Sequence, residues 1–361
     1  MPSPTPPASG HRVRALAFRL GVIPLLALCT VLTPGGQSQA AGSEPSRSAA
    51  AVATPQLGAP WGHYTGPADP TYAAWESATG TNKDLLAKIA LRSKVQWFAS
   101  GVATSRIGDT ISRYIANSQD GNPDALVQFA LFRLWPNGEK AKAQPLTQSD
   151  QTAYRRWVDA AAAGIGSARV AIVLEPDLAV SLKGWHPAVR LALAKYAAQV
   201  FGALPRASVY LDASDADWLK VSAAVAMLRS AGVSSVRGFA LGATHYAATS
   251  AQVTFGHAVV AGLKKAGIPG KHFVIDTADN GRPFTFKQYH AAHPHGNYEN
   301  AQVCQSRTQR HCDTLGIPPT THVSDPGEVD AYLWFGRPWL YNQAKPFSLR
   351  RALAVARTTP Y

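Results

Sequence analysis

Carboxylate side chains follow three of the apolar segments in this sequence. Glu175 and Asp177 flank Pro176 after one segment, Asp212 ends the next, and Asp276 ends a later one. Because proline restricts its own backbone and that of its predecessor, it constrains the direction in which Asp177 leaves the segment. A carboxyl group held over an apolar surface has a raised pKa, which suits it to general acid catalysis. These residues are candidate acid–base groups, and helix capping is the alternative role of each aspartate.

Tryptophans near the same segments provide a second kind of candidate. Trp97 lies inside the first apolar segment, Trp218 follows Asp212, and Trp339 follows the last segment. Flat indole rings can stack on the apolar faces of sugar rings. The alternative is burial in the core, which we expect for three further tryptophans: Trp157, Trp185 and Trp334.

Seven short segments predict the strands that position these groups. Most are continuously apolar, as expected of strands buried on both faces of a parallel sheet. Segments with apolar residues three and four apart lie between them and predict helices. The predicted strands are Val95–Ala99, Ala125–Leu131, Ala168–Glu175, Ala207–Ala213, Val236–Gly242, His272–Thr277 and Val329–Phe335. The predicted helices include Gln151–Ala163, Pro187–Phe201, Trp218–Ala231 and Gln252–Ala266.

The alternation of strand and helix predicts an α/β fold with a parallel sheet. Seven repeats favour a barrel, and a doubly wound sheet is the alternative. In both architectures functional groups lie at the carboxyl ends of the strands. We therefore expect the strand-end aspartates to meet at one rim.

The first forty residues have the order of a secretory signal peptide. Basic residues precede an apolar run over 15–32, and small residues at 38 and 40 provide a cleavage site. A membrane anchor is the alternative, but Arg19 and Pro24 interrupt the run, which leaves it marginal for a span of roughly 20 residues. We predict a signal peptide over 1–40, a flexible tether over 41–57 and one catalytic domain over 58–361. The exported protein is expected to be a monomer without a stable membrane anchor.

The chain is basic, with a formal net charge of +13, which falls to +10 without the three arginines of the signal peptide. Its Lys and Arg residues are scattered, without a basic helix or a recognisable nucleic-acid motif. We therefore predict no nucleic-acid partner and attribute the charge to solubility and loose attraction to acidic cell-wall material.

Two cysteines, Cys304 and Cys312, remain after signal cleavage. In an oxidising compartment this spacing favours a local disulfide. A zinc site is the alternative, but no pair of closely spaced ligands completes a tetrahedral set. We predict the disulfide, no metal and no cofactor.

Five segments, in order along residues 60–357, resemble glycoside hydrolase family 6, the β-1,4-glucanase family. Glu175–Leu178 is similar to the segment that carries the general acid, and Gln96–Ala99 is similar to the first-strand motif with its sugar-stacking tryptophan. Leu211–Asp215 with Trp218 resembles the family's Asp-Ala-Gly-His segment and its tryptophan. The remaining similar segments are Val274–Gly281 and Cys312–Trp334.

The resemblance implies a distorted (β/α) barrel, often seven-stranded, and inverting cleavage of β-1,4-glucosidic bonds. It implies that Asp177 is the proton donor, and Asp212 is then a supporting carboxylate. The candidate substrate contacts are Trp97, Asp215, Trp218 and Trp339.

Several positions depart from the family pattern. Trp135 stands where an Asp that supports the acid is expected, and Asp215 stands where the family has His. After the seventh strand, the family's Lys, Glu and proposed base Asp correspond to Gly336, Leu340 and Asn342. A family tyrosine and asparagine correspond to Phe129 and Gly242.

Two functions are compatible with these residues. The first is a secreted hydrolase that cleaves β-1,4-glucan, with its water activated through a relay because Asn342 cannot accept a proton at neutral pH. The second is a non-catalytic descendant that binds a cell-wall glycan through Trp97, Trp218 and Trp339. A serine hydrolase is a poor alternative, since the sequence has no Gly-x-Ser-x-Gly motif.

Overall fold

The computed structural model describes residues 57–134, 145–344 and 346–361. The predicted signal peptide and nearly all of the predicted tether lie outside these residues, as does Trp135. Leu57, the last residue of the predicted tether, is buried, and its carbonyl accepts a hydrogen bond from Nε1 of Trp61 at 2.6 Å. This residue is therefore part of the packed domain.

Seven parallel strands form a single sheet whose spatial order follows the chain. This order confirms the predicted seven-stranded α/β fold. It excludes the doubly wound alternative, in which the strand order reverses at a switch point. The strands are β1 (Gln96–Ala99), β2 (Val127–Phe132), β3 (Val170–Leu174), β4 (Ala207–Asp212), β5 (Gly238–Leu241), β6 (His272–Asp276) and β7 (Val329–Leu333).

The sheet curls until its first and last strands approach each other. The amide of Val95 donates to the carbonyl of Trp334 at 2.9 Å, and Nε1 of Trp97 donates to the carbonyl of Phe335 at 2.7 Å. These contacts join the two ends of the sheet and give the distorted barrel that the family resemblance implies.

Each strand contributes to two hydrophobic cores because alternate side chains face opposite sides. On β3, Val170, Ile172 and Leu174 belong to the outer core between sheet and helices, whereas Ala171 and Val173 belong to the inner core. The inner core is rich in small residues, which leave room inside a narrow barrel. Among them are Ala130, Ala171, Ala240 and Ala331.

The helices begin close to the predicted positions. Those of the described residues are α1 (Pro70–Ser77), α2 (Gly80–Ala90), α3 (Thr104–Gln119), α4 (Gln148–Ile165), α5 (Pro187–Gly202), α6 (Val221–Ser230), α7 (Thr249–Lys265), α8 (Phe286–Ala292) and α9 (Leu349–Thr358). None of them combines the length and the apolar character that a bilayer span requires. Trp218 was predicted to start a helix, but it precedes α6 and lies in the loop after β4.

Two of the three tryptophans predicted to lie in the core are buried there. Trp157 and Trp334 are buried in the core, as predicted. The prediction for Trp185 is wrong: its side chain is 53% exposed, because it lies in the turn that precedes α5 and not on the helix. The disulfide between Cys304 and Cys312 is present, which confirms the predicted pairing.

Candidate active site

The turn after β3 places Asp177 at the rim of the barrel. Glu175 has a φ of 54° and Asp177 a φ of 66°, so two non-glycine residues adopt the left-handed conformation on either side of Pro176. Such conformations are costly and persist where surrounding contacts hold them. The turn is therefore a constrained element that fixes the direction of Asp177.

Glu175 supplies the contacts that hold this turn. Its Oε2 accepts hydrogen bonds from the amides of Arg133 and Leu134, both at 3.0 Å, and its Oε1 accepts one from the Tyr154 hydroxyl at 2.8 Å. Burial raises the pKa of Glu175 to about 7, against the opposing effect of these donors. Glu175 thus ties the end of β3 to the end of β2 and to α4.

Asp212 lies beside Asp177 and is almost completely buried. Its Oδ2 accepts from the amide of Ser214 at 3.3 Å, and the amide of Leu178 also donates to it. Its Oδ1 has no hydrogen-bond partner within the described ranges. Burial raises the pKa of Asp212 to about 8, and the negative charge of Asp177 adds to the shift. At pH 7 Asp212 is therefore mainly a neutral carboxyl group next to Asp177.

A cavity of about 430 Å³, which we call the Trp218 cavity, opens beside Asp177. The predicted substrate contact Trp218 lines it, and Nζ of Lys183 lies 5.0 Å from the centroid of the Trp218 ring. Asp217 is fixed at its edge, because its Oδ2 accepts from the amide of Phe286 at 2.8 Å. The cavity walls include Asp177, Lys183, Asp217, Trp218, His245 and Tyr298.

Asp215, a predicted substrate contact, lies beneath the surface of the Trp218 cavity. Its side chain is fully buried, where Oδ2 accepts from Nε2 of Gln252 and Oδ1 accepts from the amide of Asp217 at 3.0 Å. Burial raises the pKa of Asp215 to about 7, whereas the neighbouring His245 lowers it. The residue that lines the cavity at this place is His245, which follows β5.

A second cavity, of about 630 Å³, lies along β1 and the loop after β7, and we call it the Trp97 cavity. Two further predicted substrate contacts, Trp97 and Trp339, line it together with Arg337. The guanidinium carbon of Arg337 lies 4.1 Å from the centroid of the Trp97 ring. Burial lowers the pKa of Arg337 to about 10, and Asp279, Asp276 and Asp177 oppose that change.

The end of β7 has no room for a side chain at position 336. A Cβ atom on Gly336 would overlap Oδ2 of Asp279. The other Asp279 oxygen accepts from Nε2 of Gln343 at 2.6 Å. Both oxygens of Asp276 also accept hydrogen bonds, from the amides of Thr244, Ala278, Phe335 and Gly336. Asp276 therefore fixes loop backbone at the rim, and it does not cap a helix, because residues 277–285 form none and Thr285 caps α8.

Asn342 lies on the surface. Its side chain is exposed, its φ is 52°, and its backbone amide donates to Oδ1 of Asn300 at 3.1 Å. It does not line the Trp97 cavity or the Trp218 cavity. In the part of the chain that the structure describes, no group of three or more His, Cys, Asp or Glu residues is arranged to hold a metal ion.

Sequence reasoning missed two residues of this site, His245 and Arg337. Neither lies in a motif of its own. The available signal was position, because both follow strands whose carboxyl ends form the rim. Nothing in their local sequence indicates that the side chains would turn towards Asp177.

Known proteins resemble this chain over most of its length. The family model of Glycosyl hydrolases family 6 matches residues 62–338. Endoglucanase A of Cellulomonas fimi is 30% identical over 279 residues, which are 77% of this chain and 55% of that protein. Endoglucanase 1 of Streptomyces halstedii is 26% identical over 284 residues, which are 77% of this chain and 80% of that protein. The chain thus spans only about half the length of the first of these relatives.

A solved structure agrees with these matches. The endoglucanase Cel6 from Mycobacterium tuberculosis, in complex with methyl-cellobiosyl-4-deoxy-4-thio-β-D-cellobioside, has a TM-score of 0.68 and 28% identity. The match covers 85% of this chain and 99% of that structure. With the seven-stranded barrel and the strand-end carboxylates in place, the match of the family model establishes that the chain belongs to glycoside hydrolase family 6.

Proposed function

We propose that the protein is an exported glycoside hydrolase that cleaves β-1,4-glucan linkages by an inverting acid/base mechanism. The observation that carries this proposal is the pairing of Asp177 with the buried Asp212 beside the Trp218 cavity. Asp177 is the proposed proton donor, and Asp212 is the proposed supporting carboxylate. The endoglucanases among the relatives support β-glucan as the substrate class.

The pair is suited to proton donation. Burial and the negative charge of Asp177 raise the pKa of Asp212 to about 8, so the two neighbouring carboxyl groups are not both ionised at pH 7 and the pair retains a proton. When Asp212 ionises at higher pH, its charge raises the proton affinity of Asp177 further. Asp177 would transfer its proton to the glycosidic oxygen as the bond to the anomeric carbon breaks.

Asp177 lines the Trp218 cavity, and we propose that a glucan chain extends from there to the Trp97 cavity. Trp218 offers an aromatic surface in one, and Trp97 and Trp339 line the other. Arg337 belongs to the Trp97 cavity and interacts electrostatically with Asp177, so this cavity approaches the acid as well. We propose that successive sugar units occupy the two cavities, with the scissile bond near Asp177.

Water activation must use a group other than Asn342. An amide cannot accept a proton at neutral pH. The Asn342 side chain is exposed and lines neither cavity. Loss of general-base assistance typically costs about 10²- to 10⁴-fold in rate. We therefore expect slow turnover, and Asn342→Asp should change it little because the new carboxylate would lie on the surface.

The proposed cellular setting follows from the N-terminal sequence. The signal peptide over 1–40 directs export, and the mature chain begins near Ala41 with its tether. It acts as a monomer on a polysaccharide, without nucleic acid or a stable membrane anchor. Intact-mass measurement of the secreted protein tests the cleavage site, and a mass that includes Met1 would contradict it.

Reducing-sugar release from a panel of β-glucans tests the hydrolase. Wild type should release reducing ends, and Asp177→Asn should lower the rate about 10²- to 10⁴-fold on unactivated glucan. An activated aryl glycoside should be affected much less, because its leaving group needs little protonation. Proton NMR of the first product should show the α-anomer. A folded Asp177→Asn variant with the wild-type rate would disprove the assignment, and initial β-anomer would disprove inversion.

A glycan-binding protein without activity is the second candidate. Two observations favour it: the exposed amide of Asn342 at the position of the family's proposed base, and the absence of a side chain at Gly336. Binding of cello-oligosaccharides without release of reducing ends from any glycan would select this candidate.

A further inference from the structure

His245 is the imidazole of the Trp218 cavity. It follows β5, and its ring centroid lies 6.0 Å from that of Trp218 and 5.8 Å from that of Tyr298. Its Nδ1 is buried and has no hydrogen-bond partner among the described residues. Nε2 is therefore the ring nitrogen that a ligand in the cavity can reach.

Asp215 stands behind this imidazole. The carboxylate is fully buried and is held by Gln252 and by the amide of Asp217. Gln252 also accepts a hydrogen bond from the amide of Ala216 at 3.2 Å through its Oε1. Asp215 thus has a fixed position in the loop after β4, and it interacts electrostatically with His245, which follows the adjacent strand β5.

The imidazole in this cavity follows β5, whereas the family pattern places a histidine after the fourth strand. The family pattern has His at the position of Asp215, and this chain has a carboxylate there instead. The structure brings an imidazole to the same cavity from β5, with that carboxylate beside it. Because β4 and β5 are adjacent in the sheet, their loops meet at one rim, and the exchange retains both groups at the site.

We propose that His245, supported by Asp215, is a substrate-positioning residue that donates a hydrogen bond to a hydroxyl of the sugar unit in the Trp218 cavity. The inference rests on the proposed function in one respect, that a glucan occupies this cavity. The indole holds the apolar face of the sugar, and the imidazole orients the ring through its hydroxyl edge. Asp177, in the same cavity wall, then lies within reach of the glycosidic oxygen of that sugar.

The charges around His245 keep its proton in place. Burial lowers the pKa of His245, but the carboxylates of Asp215, Glu299, Asp177 and Asp217 outweigh that effect, and the pKa is raised. Lys183 is the one Lys or Arg among the cavity walls within the described residues. A protonated imidazole is an obligate donor on Nε2, and a charged donor binds a hydroxyl more strongly than a neutral one.

Calorimetric titration with cellotetraose tests the inference independently of hydrolysis, in an Asp177→Asn background that stops turnover. His245→Asn should weaken binding about 10- to 100-fold, as expected for loss of a charged hydrogen bond. His245→Gln, whose longer side chain brings its NH2 group close to the position of Nε2 as asparagine does not, should recover part of the loss. His322→Asn replaces an exposed histidine outside both cavities and serves as the matched control. In the otherwise unchanged enzyme, His245→Asn should raise KM more than it lowers kcat.

The pH dependence separates positioning from mere structural support. Binding to the chain with His245 should weaken as the pH rises through the pKa of the imidazole, and the His245→Asn chain should lack this transition. Asp215→Asn removes the carboxylate that raises the pKa of His245 most, so the transition should move to lower pH. A purely structural role for Asp215 would lower affinity at every pH without moving the midpoint.

The outcomes distinguish this inference from the hydrolase proposal. Unchanged affinity, KM and pH dependence in folded His245→Asn would overturn the inference and leave hydrolysis untouched. Affinity that depends on His245 in a wild type that releases no reducing ends would uphold the inference and remove the hydrolase. A wild type that binds no cellotetraose contradicts the inference outright.

Discussion

Arg337 covers one face of the Trp97 indole, with its guanidinium carbon 4.1 Å from the ring centroid. The same indole donates its Nε1 to the carbonyl of Phe335 and makes a T-shaped contact with the Phe132 ring. Trp97 is therefore engaged on one face and at its nitrogen. A sugar unit must use the other face or displace the guanidinium.

Arg337→Leu should shift the pH dependence of hydrolysis. Arg337 interacts electrostatically with Asp177 and favours its ionised form, so removal of the guanidinium should make Asp177 easier to protonate. Because the acid must be protonated to act, the alkaline limb of kcat/KM should move to higher pH. The exposed Arg229→Leu on α6 serves as the control, and an unshifted limb would show that Arg337 does not act on Asp177.

Asp212→Asn should stabilise the protein at alkaline pH. The folded-state pKa of about 8 lies above the value of 3.8 in the unfolded chain, so the folded state retains a proton that the unfolded state releases. The contribution of Asp212 to the free energy of unfolding is fully present below about pH 4 and is lost as the pH rises towards 8. Asparagine resembles the protonated carboxyl group and does not titrate.

Urea unfolding of wild type and variant at pH 5 and pH 8 measures this effect. The free energy of unfolding of Asp212→Asn relative to wild type should increase with pH. The exposed Asp84→Asn on α2 should show no such trend. An equal difference at both pH values would mean that the folded-state pKa of Asp212 is not raised.

Gly336→Ala should destabilise the fold by about 1–3 kcal/mol, as overpacking does. The added methyl group would overlap Oδ2 of Asp279, which is held by Gln343 on its other oxygen. The double change Gly336→Ala with Asp279→Ala should recover part of the loss, because the obstructing carboxylate is then absent. Thermal unfolding of the two single variants and the double variant measures this coupling, and strict additivity would contradict it.

His257 should make stability depend on pH near neutrality. Its Nδ1 contacts Oε2 of Glu328 at 2.7 Å, and its Nε2 contacts Oδ2 of Asp325 at 2.8 Å. The hydrogen bond with Glu328 raises the pKa of His257, and burial opposes it. The raised pKa adds stability that is complete below about pH 6.5 and is lost as the pH rises through the folded-state value.

Melting temperatures at pH 5.5 and pH 8.5 test this contact. The difference between wild type and His257→Asn should be larger at pH 5.5, and salt should reduce it because all three side chains are partly exposed. Glu328→Gln should remove part of the same dependence. A difference that does not vary with pH would rule out a protonated His257.

The sequence alone determined the strand count, the direction of the sheet, the position of Asp177 and the disulfide. Each depends on local information: apolar runs, the Glu-Pro-Asp turn, and two cysteines in one loop. Parallel strands place their carboxyl ends at one rim, so the nearness of Asp177 and Asp212 follows from the fold class. The family motifs indicate glycoside hydrolase family 6 because they occur in the expected order along the predicted strands.

Tertiary structure decided which side chains face the cavities. Asp215 is buried and His245 lines the wall, although nothing in the local pattern of either residue distinguishes inside from outside. Arg337, in the loop after β7, covers one face of Trp97 on β1. Trp185 is exposed in the turn before α5. Such contacts join residues far apart in the chain, as Trp97 and Arg337 are, and no local periodicity encodes them.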